Sequence, residues 1–404
     1  MRKTNRYSME QLSDAVAMLR KGGLVAVPTE TVYGLAADAE NSAAIWTLFE
    51  VKQREREKAF SILVTGMDMV ERYCENIPSV AYALAEKYWP GPLTMILEDK
   101  GVVSALVNDE GDTLGVRCPD HPMTQSILQE ADVALAAPSA NPSDLPSPKT
   151  AQEVLDYFDG HIEGIVDGGP CGLGLESTII DMSALPYKIL RQGALPAAEI
   201  RSALAEQLQV IGITGGTGSG KTTALNVLAD MGALILDCDA IYHQLLQTDT
   251  DMLAQIESAF PGVVTGGALD RKALGAVVFS DEQALQRLNA ITHRCVDREV
   301  QRRLEDFAMA GGEIAAIDAI ELFAGNQARR CQTTLAVLAK PEIRAERIMQ
   351  RDGISREYAL LRIQAQRPDS YFEGLCDHVL RNDGSPEEFE MECKKLFKEI
   401  LNHG

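Results

Sequence analysis

Residues 213–222 read ITGGTGSGKT. From Gly215 to Thr222 they satisfy G-x-x-x-x-G-K-[ST], a pattern that works only between a strand and a helix. Glycines let backbone N–H groups turn inward around phosphate oxygens, and the helix that follows aims its N-terminus at the same anion. VIGIT (210–214) is a short apolar strand, and a helix is predicted from 222 to 231. The context is therefore the one the mechanism needs. Gly216, Thr217, Gly218, Ser219, Gly220, Lys221, Thr222 and Thr223 are the expected ATP-binding residues. Lys221 reaches the β- and γ-phosphates in this pattern, and the Thr222 hydroxyl ligates Mg²⁺.

This loop lies more than halfway along 404 residues. Domains of about 100–200 residues are usual, so the preceding chain is long enough to form a domain of its own. A boundary near 197–208 predicts one domain over 1–205 and a second over 208–404. Both are expected to be α/β. The N-terminal one should form a twisted open sheet, and the C-terminal one a parallel sheet with a helical lid. Predicted helices include 8–21, with Ser8 and Gln11 at capping-box spacing, 123–131 and 151–158. Predicted strands include 24–28, 114–117, 133–137, 233–237, 313–318 and 334–339.

The net charge of −21 argues against stable binding of duplex nucleic acid, which requires a basic face. Eight scattered cysteines without a C-x-x-C pair read as reduced thiols. The beginning of the chain has no apolar signal core, and no apolar run approaches the ~20 residues that cross a bilayer. A cytoplasmic protein without membrane contact is expected.

In the second half, Asp237 and Asp239 follow a predicted strand, on the side where parallel sheets bind ligands. One carboxylate there can orient or deprotonate an attacking hydroxyl while the other organises Mg²⁺; a pair of solvated turn residues is the plainer alternative. Arg344, Arg347 and Arg351 share a helix face, with Arg362 and Gln366 on the next helix. They read as a lid over a triphosphate or as a solvated face, with Arg347 and Arg351 the candidates for ATP.

In order, TGGTGSGKTT, DCDAIYHQL, LDRKALGAVVF, ITH, RAERIMQRDG, RIQAQ and CDHVLRNDGS resemble the dephospho-CoA kinase family over residues 209–404. The resemblance implies transfer of the ATP γ-phosphate to the 3′-hydroxyl of dephospho-CoA. It makes Asp239 the base and places Asp237, Arg271 and His293 at the acceptor. The sequence departs from the family at 318–324, where D-x-P-L-L-F-E becomes DAIELFA, and at Arg294, where a proline is common.

The first half carries hydroxyls and cations in short clusters: PTETVYGL (28–35), KQR (52–54), PSAN (138–141), ESTII (176–180) and RQG (191–193). Short hydroxyls at strand ends, with Lys and Arg, suit carboxylate and phosphate groups. Each alone is equally a turn, a surface charge run or a core strand. Together with WPGPLT (89–94) and GVRCPDHP (115–122), they resemble the YrdC-like threonylcarbamoyl-AMP synthase family over residues 8–200. That resemblance implies synthesis of L-threonylcarbamoyl-AMP and pyrophosphate from L-threonine, bicarbonate and ATP, feeding the t6A modification of tRNA by downstream transferase machinery. It implies that Lys52 and Arg54 hold carboxylate and phosphates. Thr29, Thr31 and Ser177 take the threonine end, and Arg117, Ser139, Asn141 and Arg191 the nucleotide. The departures are the stretch 55–60 and Asp144, where glycine is frequent.

Three readings follow. The chain is a bifunctional enzyme, a kinase with an RNA-binding or regulatory module, or a bifunctional chain whose kinase half binds nucleotide but turns over slowly. Small-molecule substrates are expected in each, with Mg²⁺ accompanying ATP.

Overall fold

The protein is described as a computed structural model covering residues 3–55 and 57–402. Arg56, within the departing stretch 55–60, lies outside the described residues. Its contacts divide into two compact units, one ending at Leu204 and the other beginning at Ala205, with Met309–Gly311 grouped with the first.

Among its described residues the first unit has one open, mixed sheet of eleven strands. Its middle runs Val25–Val27, Gly34–Asp38, Leu135–Ala136, Ser61–Leu63, Thr113–Arg117, Leu93–Asp99, Thr178–Asp181. Val25–Val27 and Gly34–Asp38 are antiparallel neighbours, so the PTETVY segment is the connection between paired strands. The predicted strand 133–137 shrinks to two residues, because only Leu135 and Ala136 find partners on both sides. Helices Leu12–Arg20 and Pro122–Ala131 bury Val16, Leu19, Ile127 and Leu128 against Val25, Val27 and Leu135. The Ser8–Gln11 capping box is present, and it opens on a 3-10 turn, Met9–Gln11, before the α-helix starts.

Among its described residues the second unit has, besides the short antiparallel pair Val264–Thr265 and Ala268–Leu269, a five-stranded sheet in the order Leu234–Asp237, Ile314–Asp318, Gln209–Thr214, Thr333–Leu338, His378–Arg381. Every pair within the five-stranded sheet is parallel. The strand leading to the phosphate loop is central and buried, as expected of an apolar run without alternation. Register sets Asp237 opposite Asp318, and Ile213 opposite Asp318, so three strand ends deliver their side chains to one edge. Helix Lys221–Asp230 packs against the sheet together with the C-terminal helix Pro386–Asn402. The latter contributes Phe389, Cys393 and Phe397, spaced by four, which places them on one face. Helix Glu282–Met309 runs 28 residues because nothing from 282 to 309 is Gly or Pro; Gly311 and Gly312 follow it.

Among the described residues no helix is long and apolar enough to cross a membrane. All eight cysteines are free. Phe397 is completely buried. Phe397→Ala is expected to destabilise the second unit by about 3–5 kcal/mol, the usual cost of emptying an aromatic core site. Urea unfolding followed through that unit's own transition checks this.

Candidate active sites

The phosphate loop closes as its sequence requires. Gly215, Gly218 and Gly220 have φ of 134°, 82° and 105°, values that side chains rarely tolerate. Turning the N–H groups of such a loop inward leaves its carbonyls facing the back. Three side chains from the helices and strand beyond take them up. Arg344 Nε donates to the Thr217 carbonyl at 3.0 Å. Arg347 donates to the carbonyls of Gly218 and Ser219, and to Asn382. The Asn382 amide donates to the Ser219 carbonyl at 2.9 Å. Gln366 completes the brace, accepting from the Thr217 N–H at 3.0 Å and donating to its hydroxyl at 2.7 Å.

The arginine series therefore divides. Arg344 is buried, and Arg344 and Arg347 hold the loop's outer side. Arg351 is exposed and forks onto Asp352, which Arg362 also contacts. Helices Pro341–Asp352 and Arg356–Gln364 meet through Ala345, Ile348 and Ala359.

Lys221 begins the helix after the loop, and its ammonium lies 3.6 Å from Asp318 Oδ1, an ion pair in a largely buried setting. Burial raises the Asp318 carboxyl above its ordinary range, and Lys221 opposes that shift. Thr222 is exposed on the first turn, and Thr223 is half-buried on it.

Asp237 caps the next helix, accepting from the Ala240 N–H at 2.9 Å. Asp239, in the first turn of that helix, lines a cavity of about 310 Å³ together with Tyr242, His293 and Asp297. Thus two predicted acceptor residues, Asp239 and His293, come together from separate helices. Arg271 does not line this cavity; its charge acts on Tyr242 from the start of helix Arg271–Val278. Ala319, Ile320 and Glu321, within the departing run 318–324, line the same wall. Burial first, and then the carboxylates of Asp318, Asp239 and Asp237, push the Cys238 thiol up to about 12.

In the first unit a cavity of about 200 Å³ is lined by Thr29, Arg54, Thr94, Arg117, Ser139, Glu176, Ser177 and Arg191, among others. Six predicted residues meet there: Thr29, Arg54, Arg117, Ser139, Ser177 and Arg191. Thr31 supports Thr29, hydroxyl to hydroxyl at 2.8 Å. The stretch 138–141 is pinned beside this loop by the Leu35 and Ala140 amides, which donate to the carbonyls of Pro138 and Tyr33.

Lys52 and Asn141 are not among the cavity's lining. Lys52 is almost completely buried at the end of helix Ser42–Lys52. Its ammonium donates to the carbonyls of Ser139 and, at 2.5 Å, Asn141. Burial first, then the Arg54 charge, pulls its pKa down to about 7. Asn141 is buried, and its amide ties the carbonyls of Pro142 and Leu145. Asp144 has φ of 66°, the left-handed region that glycine enters freely and aspartate tolerates. That explains the frequent glycine at this place.

Every arginine here has partners. Arg54 donates to the carbonyls of Lys58 and Ala59 and stacks on Phe60 at 5.1 Å. Arg117 pairs with Glu30 at 2.6 Å, with both side chains largely buried. Arg191 pairs with Glu176 at 2.6 Å and also donates to the Ser177 carbonyl and hydroxyl. Ser177 in turn meets Thr94 at 2.8 Å. Glu30, Thr94, Glu176 and Asn382 all lie inside runs quoted above, yet no spacing rule assigns them a role; Gln366, expected with Arg362 on one helix, instead joins the loop's brace from just beyond helix Arg356–Gln364. Asp318 is likewise visible only through strand register.

A Cβ on Gly220 would stand 1.9 Å from the Asn382 amide nitrogen. Gly220→Ala combines that clash with left-handed strain of about 1–3 kcal/mol. Nucleotide affinity at this loop is expected to fall by roughly tenfold or more, as read by titration with a fluorescent ATP analogue.

Comparison with known proteins divides the chain at the same place. A family model described as "Telomere recombination" (Sua5_yciO_yrdC) matches residues 17–193, and one described as "Dephospho-CoA kinase" (CoaE) matches 209–388. A threonylcarbamoyl-AMP synthase of Pyrococcus abyssi is 41% identical over 192 residues, 48% of this chain and 56% of its own length. One of Chromohalobacter salexigens is 33% identical over 43% of this chain and 94% of its own. A dephospho-CoA kinase of Geobacter sulfurreducens is 33% identical over 47% of this chain and 98% of its own. The chain spans about 56% of the length of the Pyrococcus relative.

Proposed function

Because the chain belongs to the threonylcarbamoyl-AMP synthase family through its first half and to the dephospho-CoA kinase family through its second, we propose that it carries two separate ATP-using reactions. The first half makes L-threonylcarbamoyl-AMP; the second makes CoA. The observation that carries this reading is the pair of sites: a cavity rich in hydroxyls and arginines in one unit, and a braced phosphate loop beside an Asp239–His293 cavity in the other.

In the first site, L-threonine and bicarbonate give a carbamate with loss of water. A carbamate oxygen then attacks the α-phosphorus of ATP, and pyrophosphate leaves. No covalent enzyme intermediate is required. Thr29, Thr31, Thr94 and Ser177 suit the threonine hydroxyl and carboxylate. Arg54, Arg117 and Arg191 suit the phosphates, and Ser139 and Asn141 the nucleotide. Lys52 sets the position of the 138–141 loop. Preorganised cations of this kind stabilise charge that develops at phosphorus without reorganising. The cavity's size and its paired arginines suit a small molecule better than RNA, which needs an exposed basic face. The product is an activated anhydride for transfer to tRNA by other proteins.

In the second site, Asp239 takes the proton of the acceptor's 3′-hydroxyl as that oxygen bonds to the γ-phosphorus, and ADP leaves. Lys221 and the loop's N–H groups hold the phosphates, and His293 faces the acceptor. Asp237, as the helix cap, fixes where Asp239 points.

Among the described residues no group of three or more His, Cys, Asp or Glu side chains is arranged to hold a metal by itself. The exposed Thr222 hydroxyl and the nearby carboxylates of Asp237 and Asp318, which lie opposite each other in register, suit a Mg²⁺ ion that arrives with ATP. Bound there, Mg²⁺ would neutralise phosphate charge and orient the transferring group.

Two assays on the full chain test the proposal. One reads pyrophosphate release that needs threonine and bicarbonate together; the other reads ADP formation that needs dephospho-CoA. Arg191→Ala is expected to reduce the first by at least about tenfold, given the ~1.5–3 kcal/mol of a charge-assisted contact, and to spare the second. Lys221→Ala does the reverse. A chain that shows only one activity, or variants that lose both, would refute the reading.

A further inference from the structure

Glu176 is a carboxylate lining a cavity whose other polar side chains are arginines and hydroxyls. Its two oxygens are divided. Oε2 holds the Arg191 guanidinium at 2.6 Å, and Oε1 accepts from the Ser147 hydroxyl at 2.9 Å. Ser147 belongs to the same irregular segment, 138–150, that carries Ser139 and Asn141. One side chain thus links Arg191 to the segment that brings Pro138 and Ser139 to the cavity. Its charge also supports the protonated forms of Lys52 and Arg54.

The placement is that of a stand-in. Arg191 makes three contacts, and two of them go to Ser177, through its carbonyl and hydroxyl. Only the third, to Glu176, is made by a half-exposed side chain that can swing away. An arriving phosphate offers Arg191 a stronger, more highly charged acceptor in the same direction. Its charge would then repel the carboxylate it replaces. Release of Oε2 also removes one restraint on the strap to Ser147.

We propose that Glu176 is a positioning residue that occupies Arg191 in the resting site and is displaced from it by a phosphate group of the nucleotide. The inference rests on the synthase reading of this cavity. In the resting state Glu176 keeps Arg191 aimed into the cavity and tethers the 138–150 loop. The nucleotide exchanges one carboxylate for its own phosphate, so part of its binding energy is spent on the exchange.

The test measures KM for ATP in threonine- and bicarbonate-dependent pyrophosphate release by the full chain. Glu176→Gln removes the competing charge and is expected to lower KM for ATP by roughly two- to fivefold, the size of a partly exposed ion pair. kcat should not rise, because ground and transition states gain alike. Glu176→Ala should lower KM in the same way, and Glu176→Asp, which restores the charge, should return it toward wild type. A purely structural role predicts the opposite, a higher KM or lost turnover in both neutral variants, and that result overturns the proposal. A raised KM for threonine with KM for ATP unchanged assigns the carboxylate to the substrate's ammonium and overturns it too. If the wild-type chain releases no pyrophosphate with threonine and bicarbonate, the reading of the cavity falls together with this inference. If it does and the neutral variants leave KM unchanged, the inference falls alone.

Discussion

A loop that turns its N–H groups toward an anion must turn carbonyls the other way, and a buried carbonyl without a donor costs about 1–3 kcal/mol. Much of both sites follows from that constraint. In the second unit Arg344, Arg347 and Asn382 take the carbonyls of Thr217, Gly218 and Ser219. In the first unit Lys52 takes those of Ser139 and Asn141, and Arg54, Arg117 and Arg191 take those of residues 58, 59, 91 and 177. Cations that a sequence motif suggests as ligands thus first serve as donors to backbone. The two uses are compatible for an arginine, whose five N–H groups can face two ways. They are less so for Lys52, whose three donors already meet two carbonyls at short range.

This dual use explains which parts of the sites are legible in the sequence. The phosphate loop is a local pattern: strand, glycines and helix are contiguous, and the central strand is one apolar run. The capping boxes, the helix Ala151–Phe158 and the cap at Asp237 are local for the same reason. Asp318 is different. It becomes a partner of Lys221 only because register sets Ile314–Asp318 between Gln209–Thr214 and Leu234–Asp237. Gln366 and Asn382 reach the loop across 149 and 163 residues. Periodicity carries no information at that separation. Arg351 shows the converse: it has the spacing of Arg344 and Arg347 on one helix, yet one further turn carries it to Asp352 instead of the loop.

In the first unit the hydroxyl and cation clusters are legible as clusters, and six of the nine expected residues do line one cavity. What remains hidden is how the cations are neutralised. Glu30 and Glu176 sit in the same quoted runs as Thr29 and Ser177, and a sequence gives no sign that each faces an arginine. Yet the guanidiniums of Arg117 and Arg191, drawn partly out of water, would carry a large desolvation cost unless counter-charges were present. The glutamates are therefore a consequence of building an anion site in advance of its anion.

The net charge of −21 sharpens the same point. For a polyanion such as the ATP of the proposed reactions, the summed field of this chain opposes approach. Attraction must come from groups within a few ångströms, because at physiological ionic strength exposed charges beyond about 8 Å are largely screened. The two units meet that demand differently. The second offers the backbone N–H groups of a glycine loop, a helix N-terminus and Lys221, with Asp237, Asp239 and Asp318 grouped around Cys238 beside them. The first has three arginines at its cavity, two of them balanced by glutamates and the third, Arg54, held by backbone carbonyls. An acidic protein can host such sites because what an anion feels on arrival is set by a handful of oriented donors, and the remainder of the charge acts mainly on solubility and on the rate of encounter.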